Sequence, residues 1–330
     1  MIPNIDHDDD WMWRFCSLTP KDIASQLRLK GIVGQDEAVA TASLILYNHI
    51  FKRRSVNLFI APSGSGKTFI WNMLQENFGA NRILILDSSM LTIEGYKGNL
   101  KISSIFENLP PEQRSRIILV LDEFDKSIEP QYGASGTNYA DMLQNQFLRL
   151  FNGDTMLFKG EKVEYSVDGS GISIVLLGAF EKLMMKKRES ASKRTIGFGS
   201  QPQQTCTDDN INITVEDLIN AGMRREIAGR ITRIVQMEPL SIENLTNIGF
   251  LEVEKLSQKF QRPIEVDRSI IVDLAHKAAE MKLGARYISS VLNNALDYYV
   301  YEDPYADSYT IDFSALYDNK LGQEEIYIEK

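Results

Sequence analysis

Cysteine is nearly missing from this chain. Of 330 residues only two are cysteine, Cys16 and Cys206, far apart in sequence. Two isolated thiols cannot supply a four-ligand zinc site, and they build no disulfide framework. Histidine is almost as scarce. His7, His49 and His276 stand singly, without metal-ligand spacing, and each reads as a surface or packed imidazole. No apolar run approaches the ~20 residues that span a bilayer. A basic leader is also missing: the chain opens Ile2-Pro3-Asn4-Ile5-Asp6-His7-Asp8-Asp9-Asp10, acidic where targeting peptides are basic. The expectation is a cytoplasmic, reducing compartment. Positive charge is not in excess either. A net charge of −9 argues against a chain whose main task is gripping nucleic acid, although a local basic patch is compatible with it.

What is present is an ordinary globular composition, 43% hydrophobic and 25% charged, in a length with room for roughly two domains. The stretch Val56-Asn57-Leu58-Phe59-Ile60-Ala61-Pro62-Ser63-Gly64-Ser65-Gly66-Lys67-Thr68 carries the strongest chemical signal. An apolar strand empties into a glycine-bearing loop, and Lys-Thr opens a helix. This is the P-loop order. The loop Pro62 to Gly66 wraps a phosphate chain, Lys67 meets the outer phosphates, and Thr68 holds a magnesium ion. The helix N-terminus adds partial positive charge at the same place. The usual pattern is G-x-x-x-x-G-K-[ST], and its first glycine is Ala61 here.

Strands are predicted at 56–60, 82–86, 117–121, 172–177 and 233–237, with helices between them. That alternation implies an α/β fold with a mostly parallel sheet, and it puts the P-loop at the carboxyl edge of the sheet. The third strand ends in Asp122-Glu123, two carboxylates where a buried strand leaves the sheet. Asp122 is placed to help hold magnesium and Glu123 to orient or deprotonate the attacking water. Further expectations are helices over 19–30, 36–52, 139–151 and 215–222, a loop over 128–138, and a β-hairpin within 156–165. The segment 186–212 reads as a long loop, with Lys186-Lys187-Arg188 as its solvated face or an electrostatic aid to docking. Beyond Pro239 the pattern is helical, with Asp267 as an N-cap and a closing strand near 309–313.

At this point the chain resembles a known family, the ClpX branch of the AAA+ ATPases, ring-shaped unfoldases that feed the ClpP protease. The resemblance runs from about Thr19 to Asp303. It rests on Ile32-Val33-Gly34-Gln35, Ala61 to Thr68, Gly95-Tyr96-Lys97-Gly98 and Leu121-Asp122-Glu123-Phe124-Asp125-Lys126. Further on it rests on Gly178-Ala179-Phe180, Ile196-Gly197-Phe198-Gly199, Glu226-Ile227-Ala228-Gly229-Arg230 and Gly284-Ala285-Arg286. Ahead of Thr19, residues 1–18 read from their composition as an acidic, aromatic tail; the resemblance implies a large AAA+ domain over 19–238 with a five-stranded parallel sheet flanked by helices, and a small, mostly helical lid domain over 239–330. It implies ATP and magnesium as cofactors and a homo-hexamer as the assembly.

The resemblance also assigns roles. Ile32 and Val33 pack on adenine. Arg230 resembles the arginine finger that reaches the nucleotide of a neighbouring subunit, and Arg286 the second sensor. Tyr96 resembles the pore-loop aromatic that grips a threaded polypeptide, followed by Lys97 where the family has an aliphatic residue. Ile196, Gly197 and Phe198 resemble the loop that docks on a ClpP-type peptidase. The family's N-terminal zinc-binding domain has no counterpart in this sequence. The function implied is ATP-driven unfolding of protein substrates for a ClpP-type peptidase. A stand-alone remodeller without protease and a nucleotide-switched assembly module with little turnover are the alternatives, and a nucleic-acid motor is the remotest.

Overall fold

The computed structural model describes residues 18–79, 82–94, 100–132, 136–159, 164–194 and 212–312, with side chains left out of the description at 190–194. Tyr96, Lys97, Ile196, Gly197, Phe198, both cysteines and nearly all of the acidic tail lie outside these residues. The chain divides into two compact units. One comprises Met1–Lys30, Gln35–Pro62 and Lys67–Glu238; the other comprises Gly31–Gly34, Ser63–Gly66 and Pro239–Lys330.

The first unit is built on five strands whose sequences are short apolar runs. It begins with helices α1 (Pro20–Leu29) and α2 (Asp36–Ile50), then β1 (Val56–Ile60) and α3 (Lys67–Phe78). Next come β2 (Ile83–Asp87), α4 (Ile102–Glu107), β3 (Ile118–Asp122) and α5 (Phe124–Ile128). Helix α6 (Tyr139–Asn152) leads to the hairpin strands β4 (Thr155–Lys159) and β5 (Glu164–Asp168), then β6 (Ser173–Gly178) and α7 (Glu181–Arg194). The unit closes with α8 (Val215–Asn220), α9 (Arg225–Ala228) and β7 (Arg233–Gln236). The sheet order is β2-β3-β6-β1-β7, and every pairing in it is parallel. β1 and β6 are buried along their whole length, as strands of a parallel sheet covered on both faces must be.

Local chemistry sets the helix ends. Thr19 and Asp22 form a reciprocal capping box at α1, with Pro20 in the first turn. Asn138 caps α6, and Gly153 ends it in the left-handed conformation (φ 78°). Phe147 and Phe151 of α6 meet Phe124 of α5 at ring separations of 5.8 and 6.2 Å, which fixes the segment after β3 against the core.

One expectation is corrected. Lys186-Lys187-Arg188 does not lie in a loop; it lies inside α7, where Lys187 pairs with Asp217 at 2.6 Å. The residues 181–194 are mostly strong helix formers without apolar periodicity, so propensity decides where the pattern is silent. The loop over 128–138 is preceded by α5, a five-residue helix whose last residue is Ile128.

The second unit holds α10 (Ile242–Phe260), β8 (Ile264–Val266), α11 (Arg268–Glu280), α12 (Ala285–Glu302) and β9 (Tyr309–Ile311). β8 and β9 pair in parallel, and Asp267 caps α11 by accepting the Ser269 amide. Leu245, Ile271, Leu274, Ile288 and Leu292 are among its buried core. Among the described residues no helix is long and apolar enough to cross a membrane.

His49, near the end of α2, is buried with Nδ1 3.0 Å from the Ser173 hydroxyl. Burial is the main cause that lowers its pKa to about 4, with the Arg82 cation adding to it and the Arg116 backbone opposing. The unfolded chain therefore takes up this proton first, near the ordinary value of 6.5. The stability contributed by the neutral ring is complete above that value and is lost as pH falls through it toward 4. Each tenfold difference in proton affinity between the folded and unfolded chain is worth about 1.4 kcal/mol, so the loss amounts to a few kcal/mol. Denaturant unfolding from pH 7 to pH 4 is expected to show a flatter stability profile for His49→Gln than for the parent chain.

Candidate functional site

β1 runs straight into the P-loop. Ala61 is buried, and its amide donates to the Gly178 carbonyl at the end of β6 (3.2 Å). It is not among the residues with positive φ, so its methyl group sits on ordinary backbone. Gly64 (φ 75°) and Gly66 (φ 91°) do occupy the region that favours glycine. The direction in which a Cβ would leave Gly66 is open space. The two glycines that remain are thus the ones the loop geometry requires, and the one replaced by Ala61 is not.

Lys67 opens α3 and folds back over the loop. Its ammonium donates to the Ala61 carbonyl at 2.6 Å and the Pro62 carbonyl at 3.0 Å. Phosphate oxygens are stronger acceptors than peptide carbonyls, so this cation is held where an anion can claim it. One residue on, the Thr68 hydroxyl donates to Asp122 Oδ2 at 2.6 Å. The other oxygen of Asp122 accepts the Glu123 amide at 2.9 Å. The end of β3 is tied down further by Ser88, whose hydroxyl donates to the Asp122 carbonyl, and by Ser127, which donates to Ser88.

Glu123 sits in the left-handed region (φ 54°), uncommon for a glutamate and a mark of a constrained junction. Its carboxylate is half-exposed and accepts from Lys126 at 2.6 Å, one turn along α5. This hydrogen bond is the largest cause of the raised Lys126 pKa.

The structure brings Lys67, Thr68, Asp122 and Glu123 to one edge of the sheet. Arg230 is elsewhere. The Thr232 amide donates to the Val56 carbonyl at the start of β1, and Arg233 is in register with Asn57. Arg230, exposed, therefore lies beyond the amino-terminal edge. The P-loop leaves the carboxyl edge, about 13 Å away along β1. In the second unit Ile32 is buried and Val33 half-buried, and Arg286 lies in the first turn of α12. Within that same unit the Ala285 amide donates to the Gly64 carbonyl at 3.4 Å.

Sequence reasoning assigned no role to Asp125 or Lys126. Asp125 accepts the Phe180 amide at 3.0 Å, and burial raises its pKa while the Phe180 and Ala179 amides and the Lys67 charge pull it down. The available signal was a third acid in the run Asp122 to Asp125, where a buried strand gives way to solvent.

Residues 57–187 match the ATPase family associated with various cellular activities (AAA). Among curated proteins, the ATP-dependent Clp protease ATP-binding subunit ClpX of Porphyromonas gingivalis ATCC 33277 is 27% identical, covering 80% of this chain and 73% of the relative. The same subunit from strain W83 matches equally. That of Treponema denticola is 25% identical, over 87% of this chain and 77% of the relative. Residues 57–187 thus carry an AAA ATPase domain, which implies nucleotide binding, and the chain is similar to ClpX over most of its length.

The backbone angles separate the three P-loop positions. Gly66→Ala carries strain of about 1–3 kcal/mol and is expected to weaken ATP binding about 10-fold or more. Ala61→Gly, at a position that needs no glycine, is expected to leave the affinity within about threefold. Titration with a fluorescent ATP analogue checks both.

Proposed function

We propose that this chain is an ATP-driven protein unfoldase that works as a ring, by resemblance a homo-hexamer, and passes polypeptides to a ClpP-type peptidase. The reading is supported by similarity to ClpX over most of the chain, and the observation that carries the ring is the position of Arg230. A guanidinium at the amino-terminal edge is too far from its own P-loop to meet a γ-phosphate there. It becomes useful when a neighbouring copy brings its phosphates to that edge.

In this reading the P-loop amides and Lys67 hold the triphosphate. Thr68 and Asp122, already hydrogen-bonded to each other, are the residues that would hold magnesium, which supplies charge neutralisation to the phosphates. Glu123 orients water for attack once its carboxylate leaves Lys126. Arg230 compensates charge in the neighbour's site, and Arg286 contacts phosphate from its own chain. Ile32 and Val33 cover adenine. Tyr96 and Lys97 grip the threaded substrate, and Ile196, Gly197 and Phe198 form a compact apolar anchor for the peptidase, the form that interface hot spots take.

Two measurements test this. Phe198→Ala is expected to retain ATPase activity and to lose ClpP-dependent degradation; degradation at the parent rate would remove the peptidase from the proposal. Arg230→Ala is expected to lower turnover about 10³-fold or more. Mixing Arg230→Ala with Glu123→Gln subunits is expected to restore part of that activity, because intact Arg230 and intact Glu123 then meet across some interfaces. No recovery in mixtures confirmed to form rings would place Arg230 outside the shared site.

A further inference from the structure

The turn that follows β6 is strained, crowded and held by one carboxylate. Phe180 is buried and adopts φ 49°, a region that a bulky aromatic enters only under constraint. Its ring curls back under Gly178, where an added Cβ would stand 2.6 Å from the ring and 2.9 Å from Asp125 Oδ1. Asp125 Oδ2 accepts the Phe180 amide at 3.0 Å. Without this bond the amide of a buried, left-handed residue would lose its partner, a cost that falls on the strained conformation itself.

The place of this turn in the sheet gives it consequence. β6 lies between β1 and β3, so its carboxyl end adjoins both the P-loop and the Asp122-Glu123 corner. On one side the Gly178 carbonyl accepts the Ala61 amide. On the other, Asp125 stands two residues after Glu123, in the first turn of α5. Glu123 and Phe180 are both left-handed junctions, and Asp125 is the side chain that ties one to the other. It also feels the charge of Lys67.

We infer that Asp125 is a positioning residue of the ATPase site, holding the turn after β6 against α5 and so fixing the backbone from which Glu123 reaches the attacking water. The inference rests on the role proposed above for Glu123. In this role Asp125 acts through the Phe180 amide rather than on the phosphate or water itself. Its loss leaves the P-loop intact and moves the base, so binding and turnover separate.

Steady-state ATPase kinetics and nucleotide titration on the full chain test it, with Glu123→Gln alongside. Asp125→Ala is expected to lower kcat about 10-fold or more, as a displacement of about 1 Å can, with KM for ATP within about threefold. Asp125→Asn keeps an oxygen that accepts the Phe180 amide and is expected to recover most of the activity. Gly178→Ala, whose added methyl group would clash with both the Phe180 ring and the Asp125 carboxylate while leaving those residues unsubstituted, is expected to reproduce the Asp125→Ala pattern. Parental kcat in Asp125→Ala with Glu123→Gln inactive overturns the positioning role alone. Turnover in Glu123→Gln overturns the role of Glu123 and the inference with it. Asp125→Asn as damaged as Asp125→Ala overturns the positioning role by assigning Asp125 a role through its charge instead. Should Asp125→Ala fail to fold, Gly178→Ala and Asp125→Asn decide by the same split of kcat from KM.

Discussion

The central strands admit almost no polar side chain along their length, and the rest of the structure follows from that constraint. β1 and β6 are buried from end to end, and β3 is buried until Asp122. A carboxylate or ammonium inside such a layer would cost several kcal/mol without a partner. Charged chemistry is therefore pushed to the strand ends. Because the strands are parallel, three successive ends arrive at the same edge with β6 in the middle. Lys67, Thr68, Asp122, Glu123 and Asp125 are crowded together by the sheet, and they solve the problem of their own desolvation by bonding to one another and to the backbone around them.

Those bonds differ in what a nucleotide can do to them. Lys67 directs its ammonium at two peptide carbonyls, acceptors that phosphate outcompetes. The Glu123–Lys126 pair is half-exposed, so solvent screening leaves it little net strength and makes it easy to open. The hydroxyl chain from Ser127 through Ser88 to the Asp122 carbonyl is largely buried and neutral. Nothing in phosphate chemistry competes for it. The site thus combines exchangeable contacts that face the ligand with fixed contacts behind them, the combination that electrostatic preorganisation requires.

How much of this is legible in sequence depends on which force decides each element. The five sheet strands are runs of four to six residues, mostly apolar and bounded by turn formers, and burial determines them; the predicted ranges lie within a residue or so of β1, β2, β3, β6 and β7. Helix α7 is set by propensity across a basic, aperiodic stretch, so a reading keyed to periodicity named no helix there and took 186–212 as a loop. α5 and α4 are too short to show a period at all. β8 has three residues, and its pairing with β9 spans more than forty positions of sequence, a contact no local pattern announces. Within the site, the Lys67-Thr68 and Asp122-Glu123 pairs announce themselves because their spacing is tied to strand ends. Asp125 does not. Its function lies in a hydrogen bond to a backbone amide 55 residues away, and only the left-handed turn at Phe180 gives that bond its meaning.

The placement of Arg230 carries the argument beyond one chain. Two guanidinium groups meet at the amino-terminal edge. Arg54 is partly buried and donates to the Leu150 and Phe151 carbonyls at the end of α6, where the helix dipole favours a cation. Burial lowers its pKa first, the charge of Arg230 lowers it further, and the Asp154 carboxylate opposes both. The two like charges repel, and Arg54 is the one anchored to carbonyls. Arg230, exposed, can turn outward. At more than about 13 Å from its own P-loop, well beyond the Debye length of about 8 Å at physiological salt, it does little for phosphate held there. In the proposed ring, the phosphates of a second copy would meet Arg230 at this edge.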